Sequence, residues 1–384
     1  MRMRLLLLVS LAVFAACSKE KDVDPPAELV DFRPTLEVRR AWSAGAGGQK
    51  EVLRLGLGAA VDEGRVYAAG HSGDVLALEL GSGRMLWRAR TRAPLSGGTG
   101  AGGGLVVVGS ADGDVIALDA DSGGQRWRIR VSGEVLAAPA IAPSAVVVRT
   151  VDGRVRALSP GDGSQIWMNE QAVPRLSLRG TAAPVIAGDT VVCGFDNGKV
   201  VAFGLASGDV LWETAIAPAR GRTELERLND IDATVRIDGD DVFVVGFQGR
   251  AARLSLESGQ LWWSRELSSY RGLTIDAGNV YVATSDGEVV ALQRRTGIEL
   301  WRQDALKRRG LSAPAAVDGV LAVADFEGYV HWLDAASGAV RARTRAGGRV
   351  SMAPVAVDST LVLIDDSGRI MAFRLPHAGA STGR

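Results

Sequence analysis

Few residues in this chain can do covalent or metal chemistry: there are three histidines, and cysteines only at positions 17 and 193. A zinc site, an iron–sulfur cluster or a disulfide framework each needs more. Gly98-Thr99-Gly100-Ala101-Gly102-Gly103 has the spacing of a dinucleotide-binding turn. Such a turn opens a helix, whereas these glycines run into the apolar stretch Leu105–Val108, so the segment reads as a loop. Gly198-Lys199 continues into Val200, without the hydroxyl of a phosphate loop. His71-Ser72 falls in a tight turn, and Asp74 stands where a nucleophile elbow needs glycine, so His71 reads as turn-exposed. Asp119-Ala120-Asp121 begins like a calcium loop, but its twelfth position is Arg130. Cys193 stands alone in the apolar run Val191–Phe195 and reads as a buried structural thiol. No catalytic residue, metal or cofactor is expected. The balance of 44 basic and 44 acidic residues also argues against a protein that coats nucleic acid.

What the chain does contain is repetition. A segment of the form Gly, apolar run, Ala-Leu or its equivalent starts at Gly73, Gly113, Gly153, Gly198, Gly249, Gly287, Gly328 and Gly368. After most copies come Ser-Gly and then a tryptophan: Trp87, Trp127, Trp167, Trp212, Trp263 and Trp301, with Ala342 in the seventh copy. Successive positions lie 38 to 51 residues apart. Within a repeat, Arg65–His71 and Asp74–Leu80 read as strands about a Ser72-Gly73 turn, Met85–Arg88 as a third, and small-residue segments such as Ala137-Ala138-Pro139 precede each trio. Four strands in roughly 40 residues make a propeller blade. The small residues suit the crowded strand beside the axis, and each tryptophan can fill the wedge between diverging sheets.

The expected fold is therefore all-β, an eight-bladed β-propeller with tryptophan-docked blades. No fourth strand follows Leu375, while Thr35–Trp42 is strand-like, carries a tryptophan and has no blade of its own. The N-terminal strand is expected to complete the last blade and close the ring. The seventh seam is expected to be the weakest, its wedge filled by another residue such as Trp332.

The N-terminus reads as a targeting segment. Arg2 and Arg4 precede the apolar stretch Leu5–Ala16, which is too short to span a bilayer. Phe14-Ala15-Ala16-Cys17 resembles the bacterial lipobox, with Phe14 where leucine is usual. The resemblance implies a signal peptide over 1–16 and lipidation of Cys17; the alternative is an ordinary secretory signal with an incidental cysteine. Ser18 in place of Asp implies delivery to the outer membrane by the same resemblance. Residues 17–34 are then the lipidated cysteine and a flexible tether, 35–376 the propeller and 377–384 a disordered tail.

The repeat Gly-x-Val-x-Ala-Leu-x-x-x-Ser-Gly-x-x-x-Trp resembles that of quinoprotein-type eight-bladed propellers, which serve as dehydrogenases, sensors and scaffolds. Two segments outside the repeat narrow this: Leu176-Ser177-Leu178-Arg179-Gly180 after Trp167, and Asn229-Asp230-Ile231-Asp232 after Trp212. With the lipobox and the length, they resemble the BamB family, lipoproteins of the Bam complex that inserts β-barrel proteins into the outer membrane. The resemblance implies a non-enzymatic scaffold facing the periplasm, anchored to the membrane by lipid. Its partners would be the periplasmic domains of BamA and other Bam subunits, with nascent outer-membrane proteins as further candidates. It also implies that Leu176, Leu178, Arg179, Asp230 and Asp232 mark the BamA-binding face. The alternation of Leu176 and Leu178 puts both on one side as an apolar patch, and Arg179 can pair bidentately with a carboxylate. The alternative for this site is leucines that are buried and charges that pair among themselves. For the whole chain the alternatives are a quinone-dependent oxidoreductase, though one without a vicinal cysteine pair, and a ligand-sensing propeller.

Overall fold

Each repeat alternates aliphatic runs with glycine turns, and the computed structural model turns these runs into antiparallel strands. It describes residues 24–47, 56–174, 182–216 and 230–376. Among them are eight four-stranded sheets, taken here as blades 1 to 8 in chain order. Blade 1 runs outward from the axis through Ala60–Asp62, Arg65–Ala69, Asp74–Glu79 and Met85–Arg90. The two middle strands are buried on both faces by neighbouring sheets, which is why they read as unbroken apolar runs. The outer strand is half exposed, and in Met85–Arg90 only the tryptophan is buried.

The tryptophans join blade to blade. Trp42, Trp87, Trp127, Trp167, Trp212, Trp263 and Trp301 each donate from Nε1 to a carbonyl of the next blade, those of Leu80, Ala120, Pro160, Leu205, Leu256, Arg294 and Ala335, at 2.7–3.1 Å. Each ring lies flat on a turn glycine of that next blade. At Gly83, for example, φ is +70° and an added Cβ would sit 2.5 Å from the Trp42 ring. Only a glycine tolerates both the left-handed backbone and the ring contact.

The seam between blades 7 and 8 is built differently. Within six of the other blades the docking tryptophan faces an alanine across the strand pair, as Ala77 faces Trp87 and Ala372 faces Trp42, while in blade 5 Arg253 faces Trp263. In blade 7 the same two side chains have changed places, with Trp332 on the third strand facing Ala342 on the outer one. Trp332 is fully buried, donates to Thr344 Oγ1 at 3.0 Å and meets Phe373 edge-on. A tryptophan at 342 would lack the glycine on which the other rings rest, because Leu375 is followed by Pro376-His377-Ala378, with alanine where blade 1 has Gly83. The expectation that Trp332 fills this wedge is met.

Ring closure uses the N-terminus, as expected, but shifted along the chain. The closing strand is Arg39–Gly45, paired antiparallel with Arg369–Arg374 of blade 8. The preceding residues are used for packing: Leu36 and Val38 press on the core shared by blades 7 and 8, and Thr35 N donates to Arg341 O at 2.9 Å. The stretch 24–34, expected as tether, also lies against the propeller. Arg308 Nε donates to Pro25 O, Arg309 Nη1 to Ala27 O and Arg343 Nη2 to Val30 O, at 2.8, 2.9 and 3.3 Å. Leu29 packs against the core between blades 6 and 7, and the Arg343 guanidinium covers the Phe32 ring. Apolar side chains at positions 29, 32, 36 and 38 make this segment a strap over blade 7, with Leu36 and Val38 on the seam that lacks the tryptophan dock.

Candidate partner-binding rim

In an up-and-down blade the link from one outer strand to the next inner strand always emerges on the same face. The link after blade 3 runs from Glu170 to Val185, and the link after blade 4 from Ala215 to Arg236. Neighbouring links on one face are where a binding rim forms on a rigid scaffold. Leu176, Leu178 and Arg179 lie outside the described residues, as does Cys17. Asp230 and Asp232 are described, and the structure places them where the second link returns to the propeller.

The return points of the two links are fastened to each other. Ala183 N donates to Thr234 Oγ1 at 3.2 Å. Ile231 N donates to Phe195 O at 3.2 Å, and its side chain fills the space over Gly194, where an added Cβ would be 2.4 Å away. Asp230 is fully buried, and its carbonyl accepts from Phe247 N at 2.8 Å. Its carboxylate is therefore not open to solvent on the rim.

Beneath this junction sits a cation that the sequence reading passed over. Arg149 ends the second strand of blade 3, Ala145–Arg149. Its Nη2 pairs with Asp196 Oδ1 at 2.6 Å, the two side chains being 1% and 5% exposed. Its Nη1 donates to Ala182 O at 3.3 Å, and its guanidinium carbon lies 4.7 Å over the Phe195 ring. Asp232 shares this surrounding. Burial pushes its carboxyl up to about 8, Asp196 and Asp230 add to the effect, and Arg149 opposes it. Asp232 Oδ1 is buried with no hydrogen-bond partner among the described residues. The residue also lines an axial cavity of about 620 Å³, with Arg236 and Tyr270 among the other walls.

The other chemical candidates take structural places. The glycine run at 98–103 includes the inner strand of blade 2, Gly100–Gly102, where an added Cβ on Gly100 would be 2.2 Å from Pro139 O. Its glycines serve close packing at the axis. His71 Nδ1 lies 2.7 Å from Leu95 O, in hydrogen-bond contact with the backbone of the next link. Asp119 accepts from Ser122 and Arg126 within its own turn. Cys193 is buried, and desolvation pushes its thiol up to about 12. Among the described residues, no group of three or more His, Cys, Asp or Glu is placed to hold a metal ion.

The sequence profile of the family described as "Outer membrane protein assembly factor BamB" matches residues 71–303 and 285–378 of this chain. A protein of that name from Pseudomonas aeruginosa is 45% identical over 372 residues, covering 96% of this chain and 98% of its own. The chain belongs to the BamB family. The crystal structure of BamB from Moraxella catarrhalis superposes with a TM-score of 0.81 at 28% identity, over 88% of this chain and all of that one. A quinohemoprotein alcohol dehydrogenase from Pseudomonas putida superposes at 0.68 with 14% identity, over 89% of this chain and 77% of that one. That second likeness concerns the propeller fold, and the BamB likeness extends to the sequence along the whole described chain.

Proposed function

We propose that this member of the BamB family acts as a non-enzymatic scaffold in the Bam complex, docking on the periplasmic domains of BamA through the links that follow blades 3 and 4. The observation that carries the reading is that the return points of both links are fastened at one junction. Leu176 and Leu178 supply the apolar contact and Arg179 the directional ion pair. Asp230 and Asp232 act from below, by holding the second link in place. Lipid at Cys17 keeps the propeller at the inner surface of the outer membrane, where nascent barrel proteins pass. Family membership makes assembly of outer-membrane proteins the process served.

The test is recovery of BamA with the full-length protein from detergent-solubilised outer membranes. The double substitution Leu176→Asp/Leu178→Asp, and separately Arg179→Glu, should abolish recovery while thermal unfolding stays unchanged. A folded double variant that recovers BamA at wild-type yield overturns the assignment. Addition of pyrroloquinoline quinone and calcium should give no dye reduction with alcohols; turnover would favour the oxidoreductase reading.

A further inference from the structure

Every blade has an equivalent of position 149, the last residue of the second strand. The other seven are Ala69, Gly109, Gly194, Val245, Ala283, Ala324 and Ile364, all small or apolar. The propeller is therefore built seven times without a charge at this place. Burying a guanidinium and a carboxylate carries a desolvation cost, and an apolar pair of similar size is often as stable or more so. Arg149 and Asp196 thus need an explanation other than fold stability.

Their contacts supply one. The fork of Arg149 reaches Ala182 O, in the returning part of the blade 3 link, and Asp196 Oδ1, next to the Phe195 carbonyl that receives Ile231 N. One planar group therefore touches the return of the first link and the seat of the second. We infer that Arg149 is the positioning residue of the rim, setting the return points of both long links relative to each other through Ala182 and the Phe195–Asp196 pair. Arg149 contacts no partner itself in this scheme. Lysine cannot replace it fully, since an ammonium is a point charge without the planar fork that serves two acceptors in fixed directions. The inference deepens the docking proposal and rests on it only for its consequence in binding.

The experiment uses the full-length protein with Arg149→Met/Asp196→Val, which replaces the buried ion pair by apolar side chains. Amide exchange at Ala183 and Ile231 should accelerate at least tenfold, with melting and exchange of the middle strands unchanged. Unchanged exchange at both amides overturns the inference whatever happens to binding. In the same preparations BamA recovery should fall at least tenfold, and Arg149→Lys should restore part of it while exchange at Ala183 stays fast. Accelerated exchange with full BamA recovery overturns the positioning role in docking. If Leu176→Asp/Leu178→Asp also leaves recovery intact, the docking reading itself falls and the exchange result alone judges Arg149. Should the double apolar variant not fold, the seven-blade argument is wrong and the pair is structural. Asp196→Asn, which keeps an acceptor for Arg149, should behave as a mild version of the double variant.

Discussion

Trp42 and Gly83 lie 41 positions apart and lock the last blade to the first: the indole rests on the glycine and its Nε1 donates to Leu80 O at 2.8 Å. This one contact joins the strand borrowed from the N-terminus to the first complete blade. Trp42→Ala should cost about 3–5 kcal/mol. Gly83→Ala should cost more than Gly64→Ala, although both glycines have φ near +70°, because nothing lies within 4 Å of a Cβ at Gly64. Chemical denaturation of the two variants isolates the ring clash from the backbone penalty of about 1 kcal/mol. Equal losses would mean that the ring moves aside freely.

Trp332 and Ala342 form an exchanged pair, and the exchange is not freely reversible. Trp332→Ala should destabilise by about 3–5 kcal/mol, as for other buried tryptophans. Adding Ala342→Trp should fail to restore stability, since the sequence has Ala378 where the other docks have their glycine. Recovery of the melting temperature in the double variant would contradict this account of the seam. Native-state amide exchange should still open first near residues 328–350 or at the closing blade, because neither a tryptophan dock nor a continuous blade bridges that joint. Early exchange around Trp127 and Trp167 would place the weak point elsewhere.

Asp232 makes stability depend on pH in an unusual direction for a carboxyl. Its ordinary value is 3.8 and the folded value is about 8. Between these limits the folded chain holds a proton that the unfolded chain has lost, so this group makes stability fall as pH rises from about 4 to 8. Asp232→Asn should therefore stabilise most above pH 8 and least below pH 4. Urea midpoints at pH 4, 6 and 8.5 provide the check. A variant that loses stability at high pH would show that the ionised carboxylate is favoured in the fold.

Cys17 is the predicted start of the mature chain. Intact mass should show three acyl chains at that residue, enough to anchor the protein where one chain binds only marginally. Cys17→Ala should leave uncleaved precursor or a form released into the periplasmic fraction. An unmodified N-terminus elsewhere would remove the anchor from the scheme.

The ring was legible because each blade repeats the same physical solution. A tryptophan on one strand demands a glycine turn on the next blade, and both recur at blade spacing. The closing strand was displaced by a few residues in the reading because Leu36 and Val38 alternate like a strand, yet their side chains pack while the hydrogen bonding starts at Arg39. Asp230 looked exposed because Asn229-Asp230-Ile231-Asp232 is polar as text. In the fold it is buried, and Phe247 N donates to its carbonyl while the neighbouring Ile231 N donates to Phe195 O, contacts across blades that leave no local trace. Arg149 was missed for a related reason. An arginine after three valines reads as a strand end meeting solvent, and only the packing of blade 4 against it shows that the end is closed over.

The strap also fixes where the described N-terminal stretch begins on the propeller. Asp24 lies 3.5 Å from Arg308, in the link between blades 6 and 7, on the face that carries the other links. It lies seven positions after Cys17, and an extended chain of that length covers about 25 Å. With Cys17 held in the bilayer as proposed, the propeller is moored on a short leash at one point of its rim. It can swivel about that point but cannot drift into the depth of the periplasm. The mooring point and the docking junction share a face and stand two to three blades apart, so a partner held close to the membrane surface meets the rim edge-on.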